Sequence, residues 1–354
     1  MKVDITKIDP NFSNPKADFE NVDTYNAMSV PFEIKGVYFD GEKFVRMPKE
    51  TAKEVNKQVS LLYSNTSGGR IRFRTDSAKI TLTAIVPSIC NFAHMPKSGS
   101  SCFDIYDGKD YKGFFLCDYQ LRDDESELYE ASATVRLKTN EMRNITINFP
   151  LYNDVSAVYI SLEKGCRLEA PIPEKYETPV IYYGSSITQG GCASHPGNAY
   201  ANIISRRLGT NFINLGFSSG CLAEPQMIEY MSGLSMSVFV YDYDHNAQSY
   251  EMLERTHEAG YKRLREANPH VPVIMITSAD ISTDREKRIN VIRTTYENAL
   301  AAGDKNVYFI NGDSIYAPVG LEYCTVDKCH PNDLGFFCMA NAIEEVLREI
   351  LERD

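Results

Sequence analysis

The chain has 354 residues, 43% of them apolar and 24% charged, ordinary values for a folded protein that exclude a disordered or low-complexity one. Its length exceeds the usual single-domain size, so two domains sharing an interface are expected. A formal charge of -11 without a cluster of Lys and Arg excludes nucleic acid as a partner, because that binding needs grouped basic side chains to release counterions.

The opening stretch, MKVDITKIDPNF, lacks the apolar segment of a signal peptide, and no run approaches the roughly 18 apolar residues of a membrane span. The chain therefore reads as cytoplasmic, with no membrane partner. Nine cysteines at scattered spacings fit reduced thiols better than a disulfide framework.

Up to about residue 175, short β-rich runs alternate with turn signals. They are FEIKGVYFDG, RIRFRTDSAKITLTAIV, FDIYDGKDYKGFFLCDY, ATVRLKTNEMRNITINF and SAVYISL. Alternation in RIRFR and KITLTAIV puts apolar groups on one face and polar groups on the other, as half-buried antiparallel strands require. Such regular spacing predicts a β-sandwich or jelly roll.

After the proline-rich connector PIPEKYETP the pattern changes. PVIYYG precedes NAYANIISRRLG, NFINLGF precedes EPQMIEYM, and MSVFVYDYD precedes QSYEMLERTHEAGYKRLREA. PVIMITSAD then precedes REKRINVIRTTYENALAAG, and NVYFING precedes NDLGFFCMANAIEEVLREILERD. Five strand and helix pairs predict an α/β domain built on a five-stranded parallel sheet covered on both faces. The expected division is a β-sandwich over 1–176 and this second domain over 177–354. Sites in such sheets form in the loops at the carboxyl ends of the strands.

The first of those loops reads GSSITQGG, residues 184–191. Gly184 permits a sharp turn, and Ser186 stands at the start of the next helical segment, where free N–H groups favour negative charge. The loop is not a GxSxG elbow, because Thr188 follows Ser186 by two. Near the other end, DKCHPNDLG places Asp327 and His330 three apart. A histidine there can serve as general base toward a serine while the carboxylate holds its other nitrogen. Cys324, Cys329 and His330 lack a second Cys pair to complete four ligands, so no metal is expected. Asp242 and Asp244 read as loop braces, and His245 as a structural or rim residue because neighbours in an extended segment point opposite ways. The tetrapeptide GDSI at residues 312–315 offers Ser314 as a rival nucleophile. Pro318 and Gly320 break any helix that would present it, so Ser314 is expected to brace its loop.

With these marks in place, the second half resembles the SGNH, or GDSL-type, hydrolase superfamily. Its marks are a serine after strand one, a glycine after strand two, an asparagine after strand three and a late Asp-x-x-His. They correspond here to GSSIT with Ser186, to NLGFSSGC, to YDYDHNA with Asn246, and to Asp327 with His330. The second mark departs from the family, since Ser219 stands at the glycine position and Gly220 follows it. The first departs too, with Ser185 where aspartate is common. The resemblance implies a flavodoxin-like three-layer fold, no metal or organic cofactor, and an oxyanion hole from Ser186, Ser219, Gly220 and Asn246. In the first half, SCFDIYDG resembles the GxDLY motif of a companion sandwich domain, with Cys102 replacing the glycine. Asp104 and Tyr106 are expected to pack and hydrogen-bond within that sandwich.

The pair together is similar to carbohydrate esterases and implies a serine esterase acting on small acyl esters, foremost O-acetyl groups on a saccharide. The chain has no Trp and 22 Tyr, so tyrosine would have to supply the flat faces that sugars use. A thioesterase or short-chain lipase, and a catalytically silent carbohydrate-binding protein, are the alternatives. The sequence leaves the oligomeric state open.

Overall fold

The computed structural model of the protein describes residues 7–9, 16–115, 117–280 and 283–353. The expected β-rich half contains two antiparallel sheets. One runs in the order Val22–Asn26, Ala157–Glu163, Lys79–Val86, Tyr129–Arg136 and Gln120–Leu121. The other runs Leu168–Glu169, Arg70–Thr75, Arg143–Asn148, Phe103–Asp107 and Asp110–Phe115, with Glu33–Lys35 also paired to Arg70–Thr75.

The period of two that predicted these strands also explains their packing. Ile80, Leu82, Ala84 and Val86 are fully buried, facing Phe73, Ile105 and Ile147 in one apolar core. The intervening Thr81 and Thr83 meet Thr134 and Ser132 across the strand pair, each hydroxyl pair 2.7 Å apart. The second face thus satisfies its polar groups within the sheet.

In the second half, five parallel strands cover Tyr176–Gly184, Thr210–Gly216, Val238–Asp242, Val273–Ile276 and Val307–Ile310. Numbered along the chain, their spatial order is 2-1-3-4-5, the flavodoxin-like order, whose switch point lies beside strand one. Helices cover both faces. Tyr200–Leu208 and Asp333–Leu351 pack on one side and Pro225–Ser232, Tyr250–Ala267 and Arg285–Ala301 on the other.

Among the elements that escaped the sequence reading, two join the halves. Lys49–Val55 and Lys57–Leu62 are short helices inside the β-rich half, the second capped by the Asn56 side chain. Their residues Val55 and Val59 join Phe217, Met227 and Tyr241 of the α/β half in one buried cluster. The buried Arg46 guanidinium binds the same region, donating to the carbonyls of Leu62 and Gly216 and lying 4.2 Å from the Phe217 ring centre.

A second bond between the halves corrects an expectation. Asp104 does accept from Asn148 of the sandwich, at 2.7 Å, but its other oxygen reaches the α/β half. There it accepts from the Gly197 N–H and contacts the His195 ring, both at 2.6 Å. A Cβ on Gly197 would come within 2.4 Å of the Tyr106 ring, so only glycine permits this approach. The GxDLY-like motif therefore serves as an interface clamp. Among the described residues, no helix is long and apolar enough to cross a membrane. All nine cysteines are free thiols.

Candidate active site

Strand one ends at Gly184 and the chain turns at once into the helical turn Ser186–Gln189. A Cβ at Gly184 would lie 2.1 Å from the Thr188 hydroxyl and 2.4 Å from the Asp242 carbonyl, so the turn demands glycine. The helix cap is Ser185, whose hydroxyl accepts from the Ile187 N–H at 3.1 Å. Ser186 is thus free of capping duty, and it alone of residues 180–193 is not buried.

Its hydroxyl oxygen lies 2.8 Å from Nε2 of His330. The opposite ring nitrogen, Nδ1, lies 2.7 Å from Asp327 Oδ2, while Asp327 Oδ1 accepts the His330 backbone N–H, also at 2.7 Å. Partial burial pushes the Asp327 carboxyl up, but the bonds from His330 outweigh it and hold the group below its ordinary range. Asp327 is thereby kept charged, the form that orients an imidazole through Nδ1–H. The structure brings Ser186, His330 and Asp327 together in one hydrogen-bonded line.

The turn after strand two lies beside them. Phe217 to Gly220 is closed by the Gly220 N–H donating to the Phe217 carbonyl at 2.9 Å. That bond corrects the sequence reading: the Gly220 N–H is spent inside the turn and is withdrawn from the oxyanion set. Ser219 has φ +55°, the left-handed conformation that glycine adopts freely, which accounts for a glycine at this position in the resembling family. Serine holds it at some backbone cost. The N–H groups of Ser186 and Ser219 have no acceptor among the described residues. Asn246 follows strand three in the helical turn Asp244–Asn246, not in an extended segment as the sequence reading assumed. One of its amide hydrogens binds the Phe217 carbonyl at 2.9 Å; the other is left for a ligand.

Supporting residues complete the floor. Gln189 Oε1 accepts the Ser218 N–H at 3.1 Å. Asp242 accepts from Thr188 and Tyr200, each at 3.1 Å, and burial pushes its carboxyl up to about 6. Asp244 receives the Ser278 N–H and the Arg288 guanidinium. Both aspartates are braces, as their setting in the sequence predicts.

The sandwich half also enters the site, which sequence reasoning missed. The cleft above Ser186 is lined by Leu62, Phe92, His94, Met95 and Tyr152 on one side and by Gly191, Cys192, Ser218, Ser219 and His330 on the other. Tyr152 donates to the Ser186 carbonyl at 3.0 Å and shares a 3.0 Å bond with the Ser218 hydroxyl. His94 Nε2 stands 3.8 Å from Asp327 Oδ2. A histidine in NFAHMP, a stretch without strand alternation, was the one available cue.

Ser314 lies elsewhere. It sits in a single helical turn, Asp313–Tyr316, which the sequence reading did not expect, and its hydroxyl donates to the Asn311 carbonyl at 2.8 Å. It takes no part in the cleft lining. Cys324 and Cys329 also separate, with Cys324 buried and Cys329 beside Asp280 and His245.

Residues 177–348 match the GDSL-like Lipase/Acylhydrolase family. Residues 22–168 match the family described as the N-terminus of Esterase_SGNH_hydro-type. No curated protein matches the sequence. Among solved structures, a protein from Bacteroides ovatus assigned as a GDSL-like lipase is 26% identical, with 94% of this chain and 98% of that chain covered and a TM-score of 0.80. A salicylyl-acyltransferase from a tetracycline biosynthetic pathway is 18% identical, with coverage of 95% and 99% and a TM-score of 0.74. An acetyl xylan esterase from the rumen bacterium Butyrivibrio proteoclasticus is 11% identical, with coverage of 93% and 98% and a TM-score of 0.59. The last two share the fold.

Proposed function

We propose that this chain, whose halves belong to the GDSL-like acylhydrolases and to the N-terminal domains of SGNH-type esterases, hydrolyses small acyl esters, foremost O-acetyl groups on a saccharide. One observation carries the reading: Ser186 Oγ lies 2.8 Å from His330 Nε2 while His330 Nδ1 lies 2.7 Å from Asp327. In the proposed reaction His330 takes the Ser186 proton as Oγ attacks the ester carbonyl. The negative charge on the carbonyl oxygen is met by the N–H groups of Ser186 and Ser219 and by the Asn246 amide. His330 then gives its proton to the departing sugar hydroxyl, leaving an acyl-serine. Water attacks that ester with His330 again as base, releasing the free acid and restoring Ser186. Every step uses the chain's own side chains and backbone N–H groups together with water.

A saccharide fits a cleft rimmed by the half-exposed Phe92 and by His94, flat rings suited to a sugar face. The acetyl xylan esterase of the same fold is consistent with it. The apolar wall of Leu62, Phe92 and Met95 favours a second reading, a thioesterase or short-chain lipase with a longer acyl group. The test is a panel of p-nitrophenyl acetate, acetylated xylooligosaccharides, acyl-CoA and short triglycerides, run with the wild type and Ser186→Ala. Turnover of acetylated sugars that disappears in Ser186→Ala supports the first reading. A kcat/KM that rises steeply with acyl length transfers the assignment to the second, and a wild type inert toward every ester removes both.

A further inference from the structure

Behind the catalytic residues, three separate loops meet at the carboxyl edge of the sheet. His245 comes from the loop after strand three, Asp280 from the loop after strand four, and Cys329 from the loop before the last helix. One ligand atom from each lies within 4.8 Å of the other two. His245 Nε2 is 2.8 Å from Asp280 Oδ1, and each of these side chains is only 10% exposed. Beyond that ion pair, neither ring nitrogen of His245, nor Asp280 Oδ1, makes a hydrogen bond of acceptable direction among the described residues. The two groups are close, buried and misaligned. Buried polar atoms in that state need a partner, and an ion held by one ring nitrogen of His245, by Asp280 and by the Cys329 sulfur supplies one to that side of the pair.

The donor types specify which ion. Imidazole, thiolate and a single carboxylate oxygen are zinc ligands, with bonds of about 2.0 to 2.3 Å. Tetrahedral bonds of that length separate the ligand atoms by roughly 3 to 4 Å, so small side-chain shifts would close the set. Magnesium and calcium prefer all-oxygen shells and would not use the thiolate. Burial, then the neighbouring Asp280 charge, pushes the Cys329 thiol up to about 12. Zinc binding must therefore expel that proton to solvent, as thiolate ligation always does.

We infer that His245, Asp280 and Cys329 form a zinc site, with water in the fourth position, that ties together the loops carrying Asn246 and His330. The coupling is direct in the chain: His245 precedes Asn246, and Cys329 precedes His330. The ion is a fastener for the oxyanion donor and the base, and it touches neither substrate nor Ser186.

The test reads metal content, independent of any esterase activity. Wild-type protein is stripped with chelator, incubated with zinc chloride, desalted and analysed by elemental mass spectrometry and thermal melting. The expected result is about one zinc per chain and a Tm several degrees above the stripped protein. Cobalt loading of the wild type should give a thiolate-to-cobalt charge-transfer band, a result that needs no variant to fold. Cys329→Ser and His245→Ala should each lose the ion, whereas His94→Ala should keep it. Absence of bound zinc and of the cobalt band in the wild type overturns the site. So does retention of zinc in both Cys329→Ser and His245→Ala, or its loss in His94→Ala, which would place the ion at His94, Asp327 and His330.

Discussion

The two halves of the molecule reach the cleft by different routes. The α/β half delivers Ser186 and Ser219 from the ends of strands one and two, positions set by the backbone topology itself, and His330 from the loop before the last helix. The sandwich half delivers Phe92, His94, Met95 and Tyr152 from irregular segments between its strands, anchored by Asp104 and by the helices at residues 49–62. The proposed nucleophile and its neighbouring N–H donor are thus placed by strand ends, the proposed base by a loop of the same half, and the groups that shape the pocket by loops of the sandwich half. Reaction chemistry should respond sharply to changes in the first set and only gently to changes in the second.

The largest effect is expected at the proposed nucleophile and base. Ser186→Ala and His330→Ala should each lower kcat by on the order of 10,000-fold or more, measured on p-nitrophenyl acetate. Asp327→Asn should stay folded with measurable turnover, since orientation is a smaller contribution than the base; near-wild-type rates in all three would dissolve the triad. Next comes Asn246→Ala, with kcat down roughly 100- to 1,000-fold and KM little changed, the loss seen when one oxyanion donor is removed. A change confined to KM would make Asn246 a ground-state binding group.

Below these stand two effects on stability. Burial pushes Asp242 up to about 6, so between the ordinary carboxylate range and that value the folded chain retains a proton that the unfolded chain has released. Stability contributed at this site therefore falls as pH rises from about 4 to about 6, by on the order of 3 kcal/mol. Asp242→Asn should remove that fall, read as the difference in unfolding free energy between wild type and variant across this window; parallel pH curves would refute it. Asp104→Asn weakens the clamp to His195 and Gly197 and should cost about 1 to 3 kcal/mol, seen as a lower urea midpoint. An unchanged midpoint would show the two halves to be held by other contacts.

The smallest effect sharpens the comparison most. Tyr152→Phe removes the sandwich half's hydrogen bonds to Ser186 and Ser218 while keeping the ring, and should lower kcat/KM by about tenfold or less. A loss as large as that of Ser186→Ala would move the sandwich half from wall to chemistry.

The same division governs what the sequence discloses. The residues proposed for the chemistry are legible because a glycine that must turn sharply, a serine just after it and an Asp-x-x-His pair before the last helix each carry a local signal. KITLTAIV and RIRFR announce their strands by period, and the five strand and helix pairs announce the sheet. The helices at residues 49–62 stayed hidden because a proline and an asparagine cap, at Pro48 and Asn56, bound segments of only two turns. Their buried residues Ala52, Val55 and Val59 face the other half while Leu61 is exposed, so no local pattern reports them. His94 and Tyr152 stayed hidden for a related reason: their place in the cleft follows from domain packing, which no short stretch encodes. The Gly220 error arose because a spent N–H is visible only once the turn is closed.

Labelling with a fluorophosphonate probe followed by peptide mapping puts Ser186 to its sharpest test, because the probe bonds to a serine that a base has activated. One adduct is expected, on Ser186, that is lost in His330→Ala and unchanged in Ser314→Ala. An adduct on Ser314, Ser218 or Ser219, or equal labelling of Ser186 with His330 removed, would contradict it.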